Sequence, residues 1–144
     1  MKATDIQRMV NQYLAGELLS WKQLVPHLNW ALDDVNTLLN SEFPDFSDDP
    51  KSEYTAFPDR YIRKVIVPGA VYHFYVVDEE GNTGAINFQQ DFENNKFYML
   101  RDYSHLIPEE YQSDVLNGTT DSEYEDSQGK RGISGLFVDM EDDW

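Results

Sequence analysis

The sequence predicts a mainly α protein: an antiparallel bundle of about four helices with a long loop, followed by an extended acidic C-terminal arm. Three observations predict it. In the longest apolar run, residues 57–81, pairs of apolar or small residues recur every four positions: Tyr61/Ile62, Val65/Ile66, Gly69/Ala70, His73/Phe74, then Val77. That period lays a wide apolar face on a helix, where a strand would alternate. Two earlier segments carry the i, i+3, i+4 spacing of amphipathic helices, and the composition shifts abruptly near Pro108.

The first helix is expected over residues 5–15. Ile6, Met9, Val10, Tyr13 and Leu14 share one face, Thr4 with Gln7 has the form of a capping box, and Gly16 ends it. The second is expected over residues 21–40, with Ser20 and Gln23 as a second capping box and Leu24, Leu28, Ala31, Leu32, Val35, Leu38 and Leu39 as its stripe. Pro26 falls in an early turn, so the regular helix could begin there. Trp21 and Trp30 lie partly off the stripe, either at the edge of the core or at a subunit contact.

Residues 42–56 read as a loop, with two prolines, four acids among residues 45–53 and poor periodicity. It is long for a compact domain, and such loops are usually functional or mobile. Phe43 and Phe46, with Tyr54 and Phe57, either pin it to the body or dock on a neighbouring subunit. The third helix follows. Pro58 suits its first turn, Asp59 complements its positive end, Pro68 bends it, and Gly81 stops it. The fourth is expected over residues 83–103, with Ala85, Phe88, Phe92, Met99 and Tyr103 on one side and Asn94-Asn95 as a weak point. The short turn between them makes these two helices antiparallel neighbours.

Residues 1–107 form the expected core and 108–144 the arm. Residues 107–144 carry 11 acids and 2 bases. Residues 117–132 have little apolar content and should be extended or disordered in isolation. Ile133, Leu136, Phe137 and Val138 then make an apolar patch, and Trp144 follows a last acidic run. A polar tether with such an end suits a partner-binding segment, and a short strand added to a partner's sheet fits the alternation at 136–139. A tail folding back on its own helices is the alternative.

The chain has 144 residues and a net charge of −16. That charge opposes ordinary nucleic-acid binding and binding to anionic membranes, since both need Lys and Arg. No cysteine is present, so neither a disulfide framework nor a Cys-based zinc site is expected. No apolar run has the length of a membrane span. The three histidines, His27, His73 and His105, lack metal-protease spacing, and His73 is expected to be a satisfied core histidine. Residues 121–132 depart from a calcium loop at the sixth and twelfth positions, Asp126 and Gly132. No nucleotide-binding or hydrolase motif occurs, so no cofactor, metal or enzyme activity is expected. Arg60, Arg63 and Lys64 cluster at the start of the third helix. They either bridge to Asp59 and the acidic loop or meet an acidic surface on the next copy of the chain, a head-to-tail contact that closes a ring.

Several segments together resemble a known family. They are Ser20-Trp-x-x-Leu24, Ala31-Leu-Asp-Asp-Val-Asn36, Phe43-Pro44, Phe57-Pro-Asp-Arg-Tyr-Ile62, Asp78-Glu-Glu-Gly81 and Leu100-Arg-Asp-Tyr103. In order and spacing they resemble the head–tail adaptor (connector) proteins of tailed bacteriophages, over about residues 4–107. The resemblance implies a structural virion protein of the neck, made in the host cytoplasm and assembled as a homo-oligomeric ring, usually of twelve subunits. The ring would sit between the portal protein and the tail or a tail-completion protein, and DNA would pass through it without sequence-specific binding. In such a ring the basic cluster and the loop aromatics, Arg60, Arg63, Lys64, Phe43 and Phe46, are the expected subunit seam, and Ile133, Leu136, Phe137, Val138 and Trp144 the expected anchors of a partner-binding arm. An acidic DNA mimic that occupies the basic groove of a nuclease or DNA-binding protein is the alternative suggested by charge.

Overall fold

The structure is a computed structural model that describes residues 1–14, 16, 18–77 and 85–113. Its chain divides into two compact units, Met1–Tyr111 and Gln112–Trp144. Nearly all of the second unit, including Ile133, Leu136, Phe137, Val138 and Trp144, lies outside the described residues.

The first unit is a bundle of helices. α1 spans Ala3–Tyr13 and α2 spans Trp21–Leu39. A third helical stretch is built from α3 (Asp59–Tyr61), a π-helical turn (Ile62–Ile66) and α4 (Val67–Val77); α5 spans Ala85–Tyr103. Single 3₁₀ turns follow at Ser104–Leu106 and Glu109–Tyr111.

Contacts fix the directions. Tyr75 meets Phe88, an alanine Cβ at Gly69 would press on Phe92, and the Lys64 carbonyl meets Asn95. α5 therefore runs antiparallel to the third stretch. His27 lies against Phe74, Trp30 against Tyr72, and Ala31 against Gly69, so α2 is antiparallel to it as well. α1 runs alongside in the same sense, with the Met1 ammonium 3.1 Å from Asp59 at one end and the Tyr75 hydroxyl donating to the Tyr13 carbonyl at the other.

Each helix follows from its residues, with corrections at the start of α1 and ahead of Pro68. Ser20 and Gln23 form the expected capping box in both directions, and α2 starts at Trp21, ahead of Pro26. Asn40 closes it in the left-handed region at φ 53°, a conformation that Asn tolerates better than most residues. Thr4 and Gln7 do not form a capping box. α1 begins at Ala3, its cap residue Lys2 offers no side-chain hydrogen bond, and Gln7 donates to the Leu19 carbonyl instead. The chain ahead of α1 is already held by backbone bonds from Ala3 to Ser52 and from Tyr54 to Met1, which carry the helix start upstream.

The third stretch departs from regular α geometry just ahead of Pro68. Its widened π turn precedes the proline, closed by the Val67 N–H on the Ile62 carbonyl, five residues back. Pro68 cannot donate to the Lys64 carbonyl four residues earlier. The Asn95 side-chain amide donates there instead, at 2.8 Å. At Gly69 both α2 and α5 press against α4: an added Cβ would stand 2.6 Å from Phe92 and 2.9 Å from the Ala31 methyl.

The loop over residues 42–56 is sewn to α2. The Asn36 carboxamide accepts from the Phe43 N–H and donates to the Phe43 carbonyl, Asn29 accepts from the Phe46 N–H, and the Trp21 indole donates to the Ser47 carbonyl. Phe43 and Phe46 are buried. Phe43 joins a cluster of rings with Phe57, Tyr103 and Tyr111, while Phe46 stacks on Tyr54. The Tyr111 carbonyl accepts from the Glu42 N–H, which ties the last 3₁₀ turn to the same region.

Candidate functional site

α3, the π turn and α5 together present a shelf of unusual charge for this chain. Arg60, Tyr61, Lys64, Asn95, Tyr98 and Arg101, with Asp102, line a shallow cavity of about 130 Å³. It gathers three of the 11 basic residues of a chain that carries 27 acids. Arg60 and Lys64 are four apart, so one helical face presents both. Residues 95, 98 and 101–102 come from the facing side of α5.

The two halves differ in how their charge is held. Arg101 donates twice to Asp102, at 2.8 and 3.0 Å, and its guanidinium lies 5.2 Å from the Tyr98 ring centre. The hydrogen bond from Arg101 holds the Asp102 carboxyl below its ordinary range, while Asp102 raises Arg101. Arg60 lies 6.0 Å from the Tyr61 ring centre. Among the described residues, neither Arg60 nor Lys64 has a carboxylate within ion-pairing distance, and both are exposed. Asp59, the nearest acid in sequence, pairs with the Met1 ammonium instead. Phe97 and Tyr98 stand beside this face at 66% and 51% exposure, high values for aromatic side chains.

The expected trio is therefore divided. Arg60 and Lys64 line the shelf, whereas Arg63 points toward α1 and lines a separate cavity with Arg8, Asp5 and Asp59. Adjacent helical positions face about 100° apart, and the π turn alters the offset further. Phe43 and Phe46 are not at this surface, since both serve the core. Arg101 and Tyr98 were not singled out from sequence. Their position opposite Lys64 depends on the register of α5, which contacts such as Asn95 with Lys64 and Phe92 with Gly69 set.

Elsewhere, acidic and aromatic groups serve the fold. Lys96 is nearly buried, ion-paired to Asp34 and Glu93, with its ammonium 4.2 Å from the Phe92 ring centre. His27 and His73 share a hydrogen bond between their Nδ1 atoms at 2.9 Å, and His73 stacks on Trp30 with centroids 4.5 Å apart. Trp30 thus lies at the edge of the core over the half-buried His73, while His27 is the buried member of the pair. Among the described residues no group of three or more His, Asp or Glu is placed to hold a metal ion, and no helix is long and apolar enough to cross a membrane.

Comparison with protein-family models, with curated proteins and with solved structures finds no match for this chain.

Proposed function

We propose that the protein is a structural adaptor of a tailed-phage neck. In this reading it forms a ring between the portal protein and the tail or a tail-completion protein, and its acidic body lets DNA slide past without sticking. The helix order and the segments that resemble the adaptor family support the reading, as does the helical bundle itself. The observation that carries the subunit contact is that Arg60 and Lys64 are exposed and, among the described residues, without ion-pair partners, in a chain of charge −16.

Two exposed cations with no carboxylate partner among the described residues would find a complement on the acidic surface of another copy. Such a heterologous contact, patch against a different patch, closes into a ring when its rotation divides a full turn. Phe97 and Tyr98 would supply the apolar, rigid part of the seam, and the cations its orientation. A DNA mimic gives no role to this shelf. The arm beyond Pro108 would reach the portal, with Ile133, Leu136, Phe137, Val138 and Trp144 as anchors. Deleting the gene from the parent phage tests the reading. DNA-filled heads and free tails should accumulate separately; normal yields of tailed, infectious particles would overturn it.

A further inference from the structure

A cavity of about 230 Å³ lies between α1, the start of α2 and the loop over residues 42–56. Trp21, Phe46, Tyr54 and Tyr111 contribute to its lining, and Asp45 and Glu53 line it as well. Trp21, Phe46 and Tyr54 are buried, whereas both acids are exposed, so the cavity has an aromatic floor and a carboxylate rim. Phe46 and Tyr54 stack with centroids 4.2 Å apart. The polar ends of two floor residues are already used: the Tyr54 hydroxyl donates to the Pro44 carbonyl and the Trp21 indole to the Ser47 carbonyl. The floor therefore offers rings rather than hydrogen bonds.

The rim is the opposite. Among the described residues, neither Asp45 nor Glu53 has an ion-pair partner. The Tyr54 phenol is pushed up, by burial first and then by Tyr111 and Asp45. Aromatic rings below and carboxylates above are the arrangement that holds an organic cation. The volume lies below the roughly 300–1,000 Å³ of sites for drug-sized ligands, which favours one side chain over a nucleotide or a cofactor.

We propose that this cavity seats the cationic side chain of an arginine or lysine from a protein partner. The site lies apart from the shelf at Arg60 and Lys64, with which it shares no lining residue. It makes the loop over residues 42–56 a receptor whose bonds to α2 hold the rings in place before the partner arrives.

Full-length protein labelled with ¹⁵N should be titrated with N-acetylarginine amide and, separately, with the neutral isostere N-acetylcitrulline amide. The Trp21 indole N–H is the reporter. The arginine compound should give a saturable shift, the citrulline compound should bind at least about tenfold more weakly, and the double variant Asp45→Asn, Glu53→Gln should lose about the same factor with its helix content and melting temperature retained. No saturable shift with the arginine compound, equal binding of the citrulline compound, or unchanged binding by the double variant would each overturn the proposal.

Discussion

The side-chain amide of Asn95 donates to the backbone carbonyl of Lys64 at 2.8 Å, across the interface between α5 and the π turn. It stands where Pro68 has no N–H to offer, so one residue of α5 repairs a bond that the proline of the facing helix leaves open. Asn95→Ala should cost about 1 kcal/mol of stability, the ordinary net worth of such a bond. In a Pro68→Ala background the alanine N–H can serve the same carbonyl, and the loss should shrink. A double-mutant cycle by denaturant unfolding measures the difference, and strict additivity would show that the two residues act independently.

Gly69 sets how closely the helices approach. Gly69→Ala places a methyl 2.6 Å from the Phe92 ring and 2.9 Å from the Ala31 methyl. Neither neighbour can withdraw easily, because both are fully buried. The substitution should destabilise by about 1–3 kcal/mol despite the better helix propensity of alanine. Thermal unfolding reads the result.

Three phenols should resist ionisation. Tyr54, Tyr103 and Tyr111 are all raised above the ordinary value of 10.0, with desolvation the largest cause at each. Above that value the unfolded chain loses these protons and the folded chain keeps them. Stability is therefore unaffected by them below about pH 10 and falls as pH rises past it. Ultraviolet titration of the nine tyrosines should show a late group that ionises together with loss of helical circular dichroism. Replacing Tyr54 with Phe should remove part of that group; the same variant should also free the Pro44 carbonyl that its hydroxyl now serves.

The shelf should be dispensable for folding. Arg60→Glu with Lys64→Glu changes two exposed side chains that have no ion-pair partners among the described residues. Each should alter stability by no more than about 0.5 kcal/mol. The same pair should block incorporation into particles, checked by complementing a deletion phage. Arg63→Glu, on the other side of the helix, should be tolerated better than either.

Much of the bundle is legible in the sequence. The four-residue period of the third stretch, the stripe of α2 and its Ser20–Gln23 box all specify helices that form as expected. Local spacing could not place α1's start, because backbone bonds from Ser52 and Tyr54, some fifty residues away, decide it. Nor could it foresee that Asn36, Asn29 and Trp21 anchor the loop, since polar side chains on a helix give no sign of which backbone they will meet. Asn95 looked like a weak point in α5 and proved to be a tie to the facing helix. The shelf was half legible for the same reason: Arg60 and Lys64 share a local face, but Tyr98 and Arg101 join them only through the pairing of two helices.

The central claim, that the protein is a ring-forming adaptor of the phage neck, is tested most directly by cryo-electron microscopy of the parent virion. A ring of this helical bundle is expected between portal and tail, with Arg60 and Lys64 at the seam against an acidic face of the next copy. A neck in which this chain is absent, or a ring in which the shelf faces solvent, would contradict it.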